Sequence, residues 1–201
     1  QIPVPDFTLD TNRGCPPLTV TFNDNSQQAN SYEWDFGDGT TDTNQSPIHT
    51  YTTSGTFSVK LKVTSGGTCA DSLTLGTGVV VHPVPVAGFN YSFSSNPAGY
   101  GIANFVDASQ NAATYLWDFG DGGNDNIPSP THRYSYVGNY LVTQYITTAE
   151  GCRDTAFATV EVPIFKGVFV PNAFTPGAGG PDVRTFKPVA ISLKEYKFEV
   201  Y

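Results

Sequence analysis

Aspartates around two identical hexapeptides are the residues of this chain best placed to do chemistry. Asp35, Asp38 and Asp42 fall within or just after Trp34-Asp35-Phe36-Gly37-Asp38-Gly39. Asp121 and Asp125, with Asn124 and Asn126, occupy the same stretch around Trp117-Asp118-Phe119-Gly120-Asp121-Gly122. Clustered carboxylate and amide oxygens are what Ca2+ takes as ligands, so Asp35, Asp38, Asp42, Asp121 and Asp125 are the calcium candidates. No EF-hand spacing connects them. Asp-Gly is also ordinary turn chemistry: Gly accepts positive φ and Asp bonds its own backbone. Turns without a cofactor are the expectation, and calcium is the alternative. An aspartate pair also invites glycoside hydrolysis, but Asp35 and Asp38 belong to a turn that occurs twice, which argues for structure. His49 and His132 are equivalent positions in separate copies, so they read as hydrogen-bonded structural residues rather than zinc ligands. The sequence has no Gly-x-Ser-x-Gly elbow, His-Glu-x-x-His pair or P-loop. The chain is expected not to be an enzyme.

The spacing of the hexapeptides, 83 residues, also carries Phe22 to Phe105, Pro47 to Pro130, His49 to His132, Tyr51 to Tyr134 and Cys69 to Cys152. A period held over so many positions is a tandem duplication. Each copy reads as strands. Leu18-Thr19-Val20-Thr21-Phe22 alternates apolar and polar, as do Tyr32, Trp34 and Phe36. Phe57, Val59, Leu61 and Val63 point one way while Ser58, Lys60, Lys62 and Thr64 point the other. A Trp alternating with Tyr and Phe in a central strand reads as core rather than as a sugar-stacking platform.

The first copy is expected over residues 1–82 and the second over 83–163, with Pro83 and Pro85 as a stiff junction. Residues 164–201 form a remnant too short to close a sandwich alone. Within the second copy, Leu61 becomes Gln144 at an expected core position, and Ser58 and Lys62 become Leu141 and Tyr145 on the outer face. Repacking around a buried, hydrogen-bonded Gln accounts for the first change. Leu141 and Tyr145 are candidates for covering a neighbour or partner, and Tyr100 and Tyr136 are the further aromatic interaction candidates.

Charged residues make up only 14% of the 201 residues while Gly and Pro together number 35, a composition of short strands and many turns. The net charge of −8 would repel a phosphate backbone, which sets nucleic acid aside as a partner. No run is long and apolar enough to be a membrane-spanning helix, and Gln1 reads as the start of a fragment. Of the three cysteines, Cys15 has no counterpart in the second copy. A Cys15–Cys69 disulfide inside the first copy is expected, with Cys152 free or paired outside the chain. Three reduced thiols in a cytosolic protein is the alternative, disfavoured by the secreted character of the composition.

Tyr32-x-Trp34-Asp35-Phe36-Gly37-Asp38-Gly39, Pro47-x-His49-x-Tyr51 and Gly55-Thr56-Phe57-x-Val59 resemble the polycystic kidney disease (PKD) domain. The second copy matches at Tyr115-x-Trp117 to Gly122, Pro130-x-His132-x-Tyr134 and Gly138-Asn139-Tyr140-x-Val142. The resemblance implies an all-β chain of two tandem immunoglobulin-like β-sandwiches. Val168-Phe169-Val170-Pro171-Asn172-Ala173-Phe174-Thr175-Pro176, with Phe186-Lys187-Pro188, resembles the start of the gliding-motility-associated C-terminal domain of Bacteroidota. That resemblance implies a partial, truncated C-terminal β domain and export by the type IX secretion machinery. Asp71-Ser72-Leu73 and Asp154-Thr155-Ala156 resemble the O-glycosylation sequon of the same bacteria, which makes Ser72 and Thr155 modification candidates.

Together these readings predict a secreted or cell-surface spacer and adhesion module that meets an extracellular glycan or protein ligand. Two rival roles stand beside it. One is an accessory module of a secreted polysaccharidase or protease. The other is a self-associating subunit whose apolar tail adds strands to a neighbour's sheet.

Overall fold

Short apolar–polar alternations set between turn residues leave the chain little choice but strands. The structure, a computed structural model, describes residues 1–66, 69–94 and 101–163 and the backbone of two short strands beyond them. Among the described residues there is no helix. In the first copy, β1 (Phe7–Leu9), β3 (Leu18–Asp24) and β6 (Ile48–Tyr51) form one sheet in the order β1-β3-β6. The facing sheet contains β2 (Arg13–Gly14), β4 (Ser31–Asp35), β5 (Thr41–Asp42), β7 (Gly55–Thr64) and β8 (Ala70–Val81), in the order β2-β8-β7-β4-β5. The second copy repeats the plan. A three-stranded sheet contains β9 (Phe89–Phe93), β10 (Ile102–Asp107) and β13 (Thr131–Arg133), in the order β13-β10-β9. A four-stranded sheet contains β11 (Thr114–Asp118), β12 (Asn124–Asp125), β14 (Gly138–Thr147) and β15 (Arg153–Val162), in the order β12-β11-β14-β15.

Period 2 decides what is buried. On β7, Val59, Leu61 and Val63 are fully buried and Lys60 and Lys62 are exposed. Trp34 on β4 sits opposite Leu61 on β7, and Phe7 and Phe22 reach it from the other sheet, with ring centroids 5.0 and 5.4 Å away. Phe89 and Phe105 hold the same distances from Trp117. Gln144, in Leu61's place, is fully buried, and its Oε1 accepts a hydrogen bond from Ser109 Oγ at 3.2 Å. Its polar end is therefore satisfied rather than stranded.

The chain groups into two compact units that do not follow the repeat boundary. The first takes Gln1–Gly88 with Ala108–Leu116 and Gln144–Ala156; the second takes Phe89–Asp107, Trp117–Thr143 and the chain from Phe157. Gly167–Phe169 pairs antiparallel with Val189–Ile191. The rest of 164–201, on which the export-domain expectation rests, lies outside the described residues.

The expected Cys15–Cys69 bridge is wrong. Cys15 is bonded to Cys152, with Sγ–Sγ 2.04 Å and Cα–Cα 5.5 Å, and both residues lie in the first unit. Cys69 is the free, exposed thiol. The reason lies in β2, which runs parallel to β8 and pairs Arg13 with Val80 and Gly14 with Val81. That register puts Cys15 at the C-terminal end of β8, whereas Cys69 precedes its N-terminal end. At about 3.3 Å per residue the ends of β8 are roughly 35 Å apart, and a disulfide needs Cα atoms within about 7 Å.

Candidate functional site

The repeated hexapeptide closes the hairpin between β4 and β5, and each aspartate in it has a local task. Asp35 Oδ1 accepts a hydrogen bond from Gly37 N at 2.9 Å. Asp38 Oδ1 accepts from Thr40 N at 3.0 Å and Thr40 Oγ1 at 2.6 Å, and Asp42 Oδ1 accepts from Asn44 N at 2.7 Å. Gly37 is required at its position. Its φ is +81°, and an added Cβ would stand 2.5 Å from Ser58 O. Gly120 meets Leu141 O in the same way, at 2.6 Å.

Asp38 keeps its second oxygen for His49, whose Nε2 donates to Oδ2 at 2.7 Å. The imidazole stacks on Phe36 with centroids 4.1 Å apart and meets Tyr51 edge-on at 4.6 Å. Tyr51 Oη then donates to Phe36 O at 3.0 Å. The second copy reproduces the assembly: His132 Nε2 to Asp121 Oδ2 at 2.8 Å, His132 on Phe119 at 4.1 Å, and Tyr134 Oη to Phe119 O at 3.1 Å. Each tryptophan indole is tied as well, Trp34 Nε1 to Asn44 O at 2.9 Å and Trp117 Nε1 to Ile127 O at 3.0 Å. The Asp–His partnership was not anticipated from the sequence. Its signal was there, since aspartate and histidine stand 11 residues apart in both copies.

Burial alone would raise the Asp38 carboxyl, but the Thr40 hydroxyl, the His49 ring and the Thr40 amide outweigh it and hold the group below its ordinary value. At Asp121, burial is likewise outweighed by His132 and the Gly123 amide. Burial and neighbouring carboxylates push the Tyr51 and Tyr134 phenols up, so both remain protonated donors. A carboxylate with a depressed folded pKa contributes stability above its unfolded pKa of about 3.9 and loses it as pH falls through the folded value. The melting temperature should therefore hold steady above about pH 5 and fall below about pH 4. Asp38→Asn with Asp121→Asn should flatten that fall in thermal melts across pH, and an unchanged profile would show that the pairs do not set it.

The other candidates scatter. Asp125 Oδ1 accepts from Asn126 N at 2.6 Å within its own turn. Among the described residues no group of three or more His, Cys, Asp or Glu is placed to share a metal ion. Ser72 is exposed on β8 and Thr155 on β15. Tyr136 is 78% exposed, Leu141 58% and Tyr145 45%, while Tyr100 lies outside the described residues. Tyr145 and Thr155 do meet, in an open groove of about 320 Å³ that Leu116 and Arg153 also line. Leu141 and Tyr136 are not part of it. The outer positions carry a contrast between the copies. Glu33, Ser58, Lys62 and Thr74 of the first copy correspond to Leu116, Leu141, Tyr145 and Phe157 of the second. A Glu33–Lys62 ion pair at 2.8 Å stands where Leu116 and Tyr145 are bare.

Comparison with known proteins follows the same division. A "Microbial collagenase" from Vibrio alginolyticus is 38% identical over 64 residues, 32% of this chain and 8% of that protein. The "Pre-pro-metalloprotease PrtV" of Vibrio cholerae serotype O1 is 39% identical over 56 residues, 28% of this chain and 6% of that protein. The chain thus spans less than a tenth of the length of these curated relatives. The crystal structure of the PKD1 domain from the Vibrio cholerae metalloprotease PrtV is 30% identical, covering 41% of this chain and all of that one, with a TM-score of 0.37. The family description "PKD domain" matches residues 1–79 and again 80–162. This chain belongs to the PKD domain family and carries two copies of the domain in tandem.

Proposed function

We propose that the chain is a non-catalytic, extracellular spacer and adhesion module at the cell surface, exported by the type IX secretion machinery under the direction of residues 164–201. One observation carries the non-catalytic part. The Asp, His, Tyr and Trp side chains common to both copies are engaged in the internal bonds of their own sandwich, in the same way twice. Groups so engaged hold a hairpin closed and leave no base and nucleophile facing an open cleft. The ligand is an extracellular glycan or protein, met at exposed aromatic residues of which Tyr145 is the foremost. The domains need no cofactor, so the melting temperature should agree with and without EDTA; a fall on chelation would bring calcium back.

A second reading has its own support. The relatives bear the names of a collagenase and a metalloprotease, and the matched segments are small parts of them. These copies would then be accessory modules of a secreted protease. Intact mass and peptide mapping of the protein from its source, beyond both ends of this chain, separate the two. Further repeats and protease-sensitive surface exposure on whole cells support the adhesion module. A catalytic domain in the same polypeptide supports the accessory role, and recovery only from the cytosol would sink both.

A further inference from the structure

The bond between Cys15 and Cys152 decides how tension travels through the chain. Cys15 directly follows β2, and Cys152 directly precedes β15. Their sequence separation is 137, and every strand from β3 to β14 lies between them. When the two ends are pulled apart, force enters through the residues before Cys15. It then crosses the Sγ–Sγ bond and leaves through β15. The residues inside the loop are spanned by a shorter covalent path, so once the strands outside it have peeled away they carry none of the end-to-end load.

We propose that the Cys15–Cys152 disulfide is a load bypass that takes β3 to β14 out of the covalent path of force and leaves β1, β2, β15 and the chain after β15 to respond to pulling. The strands left in the path are anchored to the protected ones. β1 pairs with β3 from Phe7↔Asp24 to Leu9↔Phe22. Beside β2, Val80 N donates to Asn12 O and His82 N to Gly14 O, each at 2.8 Å. On β15, Asp154 Oδ2 accepts from Ala87 N at 2.8 Å. The device suits a surface spacer, and it rests on the extracellular placement proposed above, because disulfides persist where the compartment is oxidising.

Reduction opens the bypass. A dithiol gives two electrons and two protons, the Sγ–Sγ bond breaks to two cysteine thiols, and the dithiol closes to its own cyclic disulfide. The loop then joins the load path. At about 3.5 Å per residue it adds about 480 Å of contour length. The test is single-molecule stretching of the full chain, held by its two ends, before and after dithiothreitol. A gain near 480 Å on reduction is expected. The Cys15→Ser/Cys152→Ser chain should show the longer extension without reductant, and reduced wild type reads the same quantity if that variant folds poorly. No gain, or a gain near 190 Å as a Cys15–Cys69 bond would give, overturns the proposal. Failure of the extracellular placement looks different: Cys15 and Cys152 would be found reduced in protein taken from its source, whatever the oxidised chain does under force.

Discussion

Replacing Trp117 by alanine lowers the stability of its sandwich by about 3–5 kcal/mol, the range for deleting a large buried aromatic. The side chain is fully buried, with Phe89, Phe105 and Phe119 centroids 5.0, 5.4 and 6.4 Å away. Alanine leaves a cavity among rings that are themselves fixed on β9, β10 and the turn after β11, so collapse into it is limited. It also strips the donor from Ile127 O, which the indole reaches at 3.0 Å. Trp34→Ala should behave alike, with Asn44 O the carbonyl left over. Equilibrium unfolding in denaturant measures both. Trp117→Phe keeps most of the packing and loses the hydrogen bond, and should cost less than alanine. Leu141→Ser and Tyr145→Lys, which copy the outer face of the first sandwich, should change stability by no more than about 0.5 kcal/mol. If the outer substitutions cost as much as the tryptophan ones, the assignment of faces is wrong.

Loss of the Cys15–Cys152 bond should be the other large effect. With a separation of 137, the chain-entropy model gives roughly 5 kcal/mol, an upper figure because real unfolded chains retain structure. The double variant Cys15→Ser/Cys152→Ser, or wild type in reductant, should shift the denaturant midpoint accordingly. Cys69→Ser, at an exposed position, should shift it by no more than about 0.5 kcal/mol. The contrast matters because Cys69 and Cys152 are equivalent in the repeat, so local chemistry would treat them alike. Equal effects of the two would mean that the pairing is not as described.

Much of the fold is legible in the sequence because its cause is local. Trp34, Leu61 and Val63 are read as inward-facing from alternation alone, and the facing sheet has only to supply Phe7 and Phe22. The Asp35 and Asp38 turns are legible for the same reason, since each carboxylate bonds an amide two residues on. The Asp38–His49 pair is half legible. Its members recur together, but their contact depends on β6 lying beside β3 and presenting His49 near the β4–β5 hairpin. The disulfide is not legible, and the expectation of a bond inside the first copy pointed the wrong way. What decides it is the parallel pairing of a two-residue strand, Arg13–Gly14, with the far end of β8, which no periodicity announces. The groove at Tyr145 is partly legible: the exchange of Lys62 for Tyr marked the position, and the meeting with Thr155 and Arg153 follows only from the order of β14 and β15.

β5 and β12 border the larger sheet of each copy with two residues apiece, Thr41–Asp42 and Asn124–Asp125. Tandem copies of one domain on one chain hold each other at high local concentration throughout folding, and exchange of strands between neighbours is a characteristic failure of such arrays. A border only two residues long offers an incoming strand almost no ladder to extend, and the aspartate on it sets a charge against the newcomer. The Asp42 and Asp125 carboxylates are each tied back to their own turn, which keeps that charge at the border. The protection is local to these two borders: the opposite border of the second copy's larger sheet, β15, runs ten residues and offers an incoming strand a full ladder.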